Sequence, residues 1–75
     1  MTYFKKTFGQ NLKLLRKAKN LIQEQLAELV NLNQRQLTRI ENGISFVSSD
    51  VIESLFNSSS RKELKMLIDG MDLLE

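Results

Sequence analysis

Gln34, Arg35, Thr38 and Arg39 carry hydrogen-bonding groups at spacings that bring them to the outer face of one short helix. A helix turns roughly 100° per residue. Leu37 and Ile40 set an inward direction on this wheel. Arg35 then points almost opposite to them, with Thr38 and Arg39 on either side and Gln34 in the first turn. The face offers donors and acceptors but no carboxylate. Arg can bridge O6 and N7 of guanine, and Gln can do the same for N6 and N7 of adenine. Such a face suits base edges in a DNA major groove, although the same residues would also serve as an ordinary polar surface.

Other chemistries have little material. The chain has no Cys and no His, which removes disulfides, thiolate and imidazole metal ligands, Cys nucleophiles and His acid–base pairs. No Asp/Glu cluster suggests a carboxylate metal site, and there is no Gly-rich phosphate loop. We expect neither an enzyme nor a cofactor or metal site. Met1-Thr-Tyr-Phe-Lys-Lys has no apolar leader core, and no apolar run is long enough to span a membrane. The expectation is a soluble, cytoplasmic protein. Its 75 residues make a single domain, 1–75, with a core of limited size.

Charge is uneven although the net value is only +2. Residues 1–19 hold Lys5, Lys6, Lys13, Arg16, Lys17 and Lys19 with no acid. Residues 50–75 hold six acids against Arg61, Lys62 and Lys65. One side of the molecule is suited to a polyanion; a solvated helix face is the plainer reading.

The elements that must position the polar face are helical. There is no Pro and little Gly, so hairpins lack punctuation. Phe8, Leu12 and Leu15, widened by Leu14, predict a first helix over about 3–19, stopped by Asn20. Leu26, Ala27 and Val30 predict a short second helix over about 23–30, ended by Asn31. Asn33, with Gln36 as capping-box partner, opens a third helix over about 34–42, which Gly43 ends as a left-handed residue. Two short helices separated by about three residues form a helix-turn-helix at about 23–42, whose second helix enters the major groove. Ser48, Ser49 and Asp50 can cap a fourth helix carrying Val51, Ile52, Leu55 and Phe56. Ser60-Arg61-Lys62-Glu63 is a capping box for a fifth, over about 60–74. There Leu64, Leu67, Ile68 and Met71 recur at helical spacing, and Gly70 weakens the pattern.

The segments Leu15-Arg16, Gln23-Glu-Gln-Leu-Ala27 and Leu37-Thr-Arg-Ile-Glu-Asn-Gly43, with the later Leu55, resemble the phage-repressor/Cro-like (Xre-type) helix-turn-helix family. The likeness covers about residues 8–56. It implies an all-α, five-helix, lambda-repressor-like domain that binds double-stranded DNA. It further implies base contacts from Gln34, Arg35 and Arg39. Backbone or flanking contacts fall to Gln23, Gln36, Thr38 and Asn42. Arg16 and Glu41 match a structural salt bridge between the first and third helices.

This chain also departs from the family pattern. Ile22 stands where Ser or Thr usually caps the second helix, a loss of about 1 kcal/mol. Asn31 replaces the usual turn Gly. The loop Ile44-Ser-Phe-Val-Ser lacks both the frequent Pro and any basic residue, so it brings no cation to a phosphate. The connection between the fourth and fifth helices is short. The expected function is a small transcriptional regulator, a homodimeric repressor reading a pseudo-palindromic operator, dimerising through Leu64, Leu67, Ile68 and Met71. The same stripe could instead pack on the first helix. A restriction–modification controller or antitoxin of the same fold, or an interaction module that has lost DNA binding, are the alternatives.

Overall fold

The computed structural model describes residues 2–70, and all regular structure among them is helical. The order is α1 (Thr2–Ala18), α2 (Gln23–Leu29), α3 (Gln34–Glu41), α4 (Ser49–Ser58) and α5 (Arg61–Leu67). The architecture is the all-α, lambda-repressor-like one, with α2 and α3 as the helix-turn-helix.

Local chemistry explains where the helices stop. Asn20, Asn31 and Gly43 take positive φ of 59°, 59° and 76°. At each, the next residue's N–H reaches back to a carbonyl of the finished helix. Leu21 donates to Arg16 O at 3.0 Å, Leu32 to Ala27 O at 2.8 Å and Ile44 to Arg39 O at 2.9 Å. A left-handed residue thus satisfies the orphan carbonyls of α1, α2 and α3 by one Schellman arrangement, and Asn or Gly adopts that conformation at low cost.

The starts are equally local. Asn33 Oδ1 accepts from Gln36 N at 2.7 Å while Gln36 Oε1 accepts from Asn33 N at 3.0 Å. Ser60 and Glu63 repeat this box on α5, and the Ser48 hydroxyl accepts from Val51 N on α4. Before α2, Ile22 has no side-chain acceptor, and only the return half of a box is present, Gln25 Oε1 accepting from Ile22 N at 3.0 Å.

One core joins the helices. Phe8, Leu12 and Leu15 of α1 meet Leu26, Ala27, Leu37, Ile40, Val51, Leu55 and Leu67. Leu12, Leu15 and Leu37 are the most completely enclosed. The crossing of α1 on α3 is a backbone contact. A Cβ on Gly9 would stand 2.1 Å from the Ile40 carbonyl oxygen and 3.0 Å from that of Glu41, so only glycine lets the two helices come this close.

Several expectations are corrected. Leu14 does not widen the α1 stripe but is 60% exposed, because the position facing α5 is taken by Asn11. That side chain is buried and donates through Nδ2 to Leu67 O at 3.0 Å and Asp69 O at 2.8 Å. α5 ends at Leu67 rather than continuing through Gly70, which has φ of 77°. Asn11 takes up the carbonyls that a longer helix would have bonded internally. Leu67 is buried in this chain's own core and Leu64 packs against it. Those two members of the expected dimer stripe therefore serve the fold of the protomer. Ile68 stays exposed, and Met71 lies outside the described residues. On α4, Val51 and Leu55 face inward while Ile52 and Phe56 are exposed.

Candidate nucleic-acid interface

The site is built outward from a buried charge pair. Arg16 on α1 and Glu41 at the end of α3 are both buried. Arg16 Nε donates to Glu41 Oε2 at 2.7 Å, and Nη2 to Oε1 at 3.3 Å. Arg16 Nη1 also donates to Leu21 O at 2.9 Å, so the same guanidinium holds the turn into α2. The pair spans 25 residues of sequence. It also neutralises the one carboxylate of α3 away from the outer face.

Gln23, the first residue of α2, carries this network onto the outer face of α3. Its Nε2 donates to Glu41 Oε1 at 3.0 Å. Its Oε1 accepts from Thr38 Oγ1 at 3.1 Å and from Gln34 Nε2 at 3.4 Å. A carboxylate is acceptor-only, so Glu41 fixes which way the Gln23 amide points: NH2 toward the ion pair, oxygen toward α3. Thr38 Oγ1 lies also 2.9 Å from Gln34 O, and its single proton serves one acceptor at a time. Gln34 gives one amide hydrogen to Gln23 and keeps the other hydrogen and its oxygen for an external partner.

The remaining residues divide by what already holds them. Arg35 is exposed and makes no side-chain hydrogen bond or ion pair with a described residue. Arg39 is exposed, with Nε donating to Ser45 Oγ at 3.2 Å. Gln36 is exposed but its oxygen is engaged in the α3 cap, leaving only its amide hydrogens. Asn42 is exposed directly after α3, where its backbone N–H closes on Thr38 O at 3.0 Å. The outer face of α3 thus presents amides, a hydroxyl and two guanidinium groups and no carboxylate, while Glu24 and Glu28 of α2 lie beside Gln34 at its start.

The neutral loop after Gly43 has a structural task. Phe46 stacks edge-on against Phe4 and Phe8 of α1, with centroids 5.0 and 5.2 Å away. Ser45 holds Arg39. Sequence reading missed Ser45 and the inward tie of Gln23, since both depend on contacts between elements. The capping residue types alone carried no signal for them.

The Helix-turn-helix family model matches residues 12–57, from within α1 to within α4. Over 45 residues, 60% of this chain, the sequence is 42% identical to Antitoxin PezA of Streptococcus pneumoniae serotype 4. The chain spans 28% of that protein's length. No solved structure matches the chain.

Proposed function

Because the chain belongs to the Xre/Cro-like helix-turn-helix family of DNA-binding regulators, we propose that it is a homodimeric transcriptional repressor reading a pseudo-palindromic operator with α3. The observation that carries this reading is the outer face of α3. Gln34, Arg35 and Arg39 are exposed on it, while the helix's single acid is buried against Arg16. In this reading Gln34, Arg35 and Arg39 touch bases, Arg35 as a bidentate partner of guanine. Gln34 presents one N–H and one C=O, the pair that adenine requires, in an orientation set by Gln23. Gln23, Gln36, Thr38 and Asn42 lie toward the phosphates. Gln23 has a second amide hydrogen for that contact.

One such domain makes few base contacts, and a two-fold pair doubles them at half-sites about one DNA turn apart. Ile52, Phe56 and Ile68 support a dimer. They line, with Phe4 and Phe46, an open apolar groove of about 390 Å³ between α1, α4 and α5. Repression follows from occupancy of a promoter.

The test is selection of bound duplexes from a random pool, followed by anisotropy on the selected site. An inverted repeat supports the dimer; a lone half-site refutes it. Arg35→Ala should relax the preference at one base pair and cost about 1–3 kcal/mol. A uniform loss over all sequences would instead make Arg35 a phosphate contact. The likeness to an antitoxin favours a second reading, in which the chain acts as an antitoxin of the same fold. Relief, on co-production, of a growth arrest caused by a neighbouring gene's product would select it.

A further inference from the structure

The first helix carries a row of cations that the reading face does not use. Lys6, Lys13 and Lys17 stand seven and eleven residues apart from the first. At roughly 100° per residue they fall within about 40° of one another, and at about 1.5 Å per residue the row is about 16 Å long. All three are exposed. The ion pairs among the described residues are Arg16–Glu41 and Lys19–Glu63, so none of these three lysines is in one. No acid precedes Glu24 in the chain. Three unneutralised charges on one line repel one another, an arrangement that a counter-ion surface relieves.

Their position follows from packing. α1 and α3 touch through Gly9 and through Arg16 with Glu41. The lysines lie on the α1 face opposite Phe8, Leu12 and Leu15, about 70° around the helix from the Gly9 and Arg16 side that meets α3. Lys6 lies at the turn that ends α3, its Cα 2.9 Å from where a Cβ of Gly43 would be.

We infer that Lys6, Lys13 and Lys17 form a phosphate-binding track for the DNA strand flanking the groove that α3 occupies. The inference rests on the DNA-binding reading above. It also supplies a source for the backbone affinity that the uncharged Ile44–Ser49 loop lacks. Each phosphate neutralised releases condensed counterions, so the logarithm of affinity falls by about 0.9 per decade of salt for each contact.

The test compares the wild-type chain, a K6Q/K13Q/K17Q variant and an R61Q/K62Q/K65Q variant that loses the same charge from α5. Each is titrated with random-sequence duplex by anisotropy from about 50 to 200 mM salt, after circular dichroism confirms folding. The α1 variant should lose about 2.7 from the salt slope per protomer, so that its affinity falls about 40-fold less than wild type over that range. Base preference on the selected site should be unchanged, and the α5 variant should keep the wild-type slope. An α1 variant with the wild-type slope, on a duplex that wild type binds, overturns the track and leaves the DNA-binding reading intact. Equal slope losses from both variants overturn it too, since net charge alone would then act. A wild-type chain with no affinity at low salt overturns both.

Discussion

Glu41→Ala should be among the most destabilising single changes in this chain. The carboxylate accepts from Arg16 Nε at 2.7 Å, from Arg16 Nη2 at 3.3 Å and from Gln23 Nε2 at 3.0 Å. Its side chain is 1% exposed, and that of Arg16 is 10%. Removing it leaves a guanidinium enclosed with only Leu21 O as acceptor. An uncompensated charge of this kind costs about 3–5 kcal/mol. At about 0.05–0.15 kcal/mol per residue, a chain of 75 residues has a total stability of similar order, so the variant should sit near the edge of folding. Gln23 is half-buried and can return to water, so its lost bond adds little. The double variant R16M/E41L removes both charges and fills the space with apolar atoms. It should recover most of the loss, because the desolvation of the pair offsets much of its attraction. Urea unfolding followed by far-UV circular dichroism measures both. If Glu41→Ala alone is unfolded without urea, Glu41→Gln, which keeps one acceptor oxygen, brings the measurement back into range. A loss under about 1 kcal/mol for Glu41→Ala, the size of an exposed pair, would refute the reasoning. So would a double variant as unstable as the single one.

Gly9→Ala introduces a methyl where the Ile40 carbonyl oxygen stands 2.1 Å away. Backbone cannot swing aside as a side chain does, so a loss of about 1–3 kcal/mol or more is expected in urea unfolding. Ile22→Ser should stabilise the chain by about 1 kcal/mol, since it completes the box that Gln25 already half forms and the isoleucine is 58% exposed; an unchanged midpoint would show that water caps α2 equally well. The backbone N–H of Ser60, and after it the Lys19 ammonium, hold the Glu63 carboxyl below its ordinary value. A lowered folded-state pKa means a contribution fully present above the unfolded value and lost as pH falls through the folded one. The Glu63 carbon resonance should therefore titrate below that of a free glutamate, with lower protection of α5 amides, relative to their intrinsic exchange rates, on the acid side. Lys19→Gln should raise that midpoint only partway, because the larger cause remains.

Whatever is settled within one turn of helix was legible in the order of the residues. The caps at Asn33 and Ser60 act on residues three positions away. The left-handed stops at Asn20, Asn31 and Gly43 bond within five. The inward pair Leu37 and Ile40 follows from periodicity alone. With the quoted motifs, this was enough for the fold class and the family.

Tertiary structure decided what depends on meetings across the chain. Leu14 looks apolar and therefore inward, yet Asn11 takes the place against α5, because two carbonyls 56 and 58 residues away need a donor. Leu67 reads as surplus apolar surface until the core closes over it. Gly9 gives no local sign that a backbone will lie on it. Most consequential is Gln23, whose type suggests only a polar residue at a helix start. It is the ion pair of Arg16 and Glu41 that sets which end of its amide faces Gln34. Burial and pairing between distant elements are collective properties of the assembled core, and no window of sequence contains them.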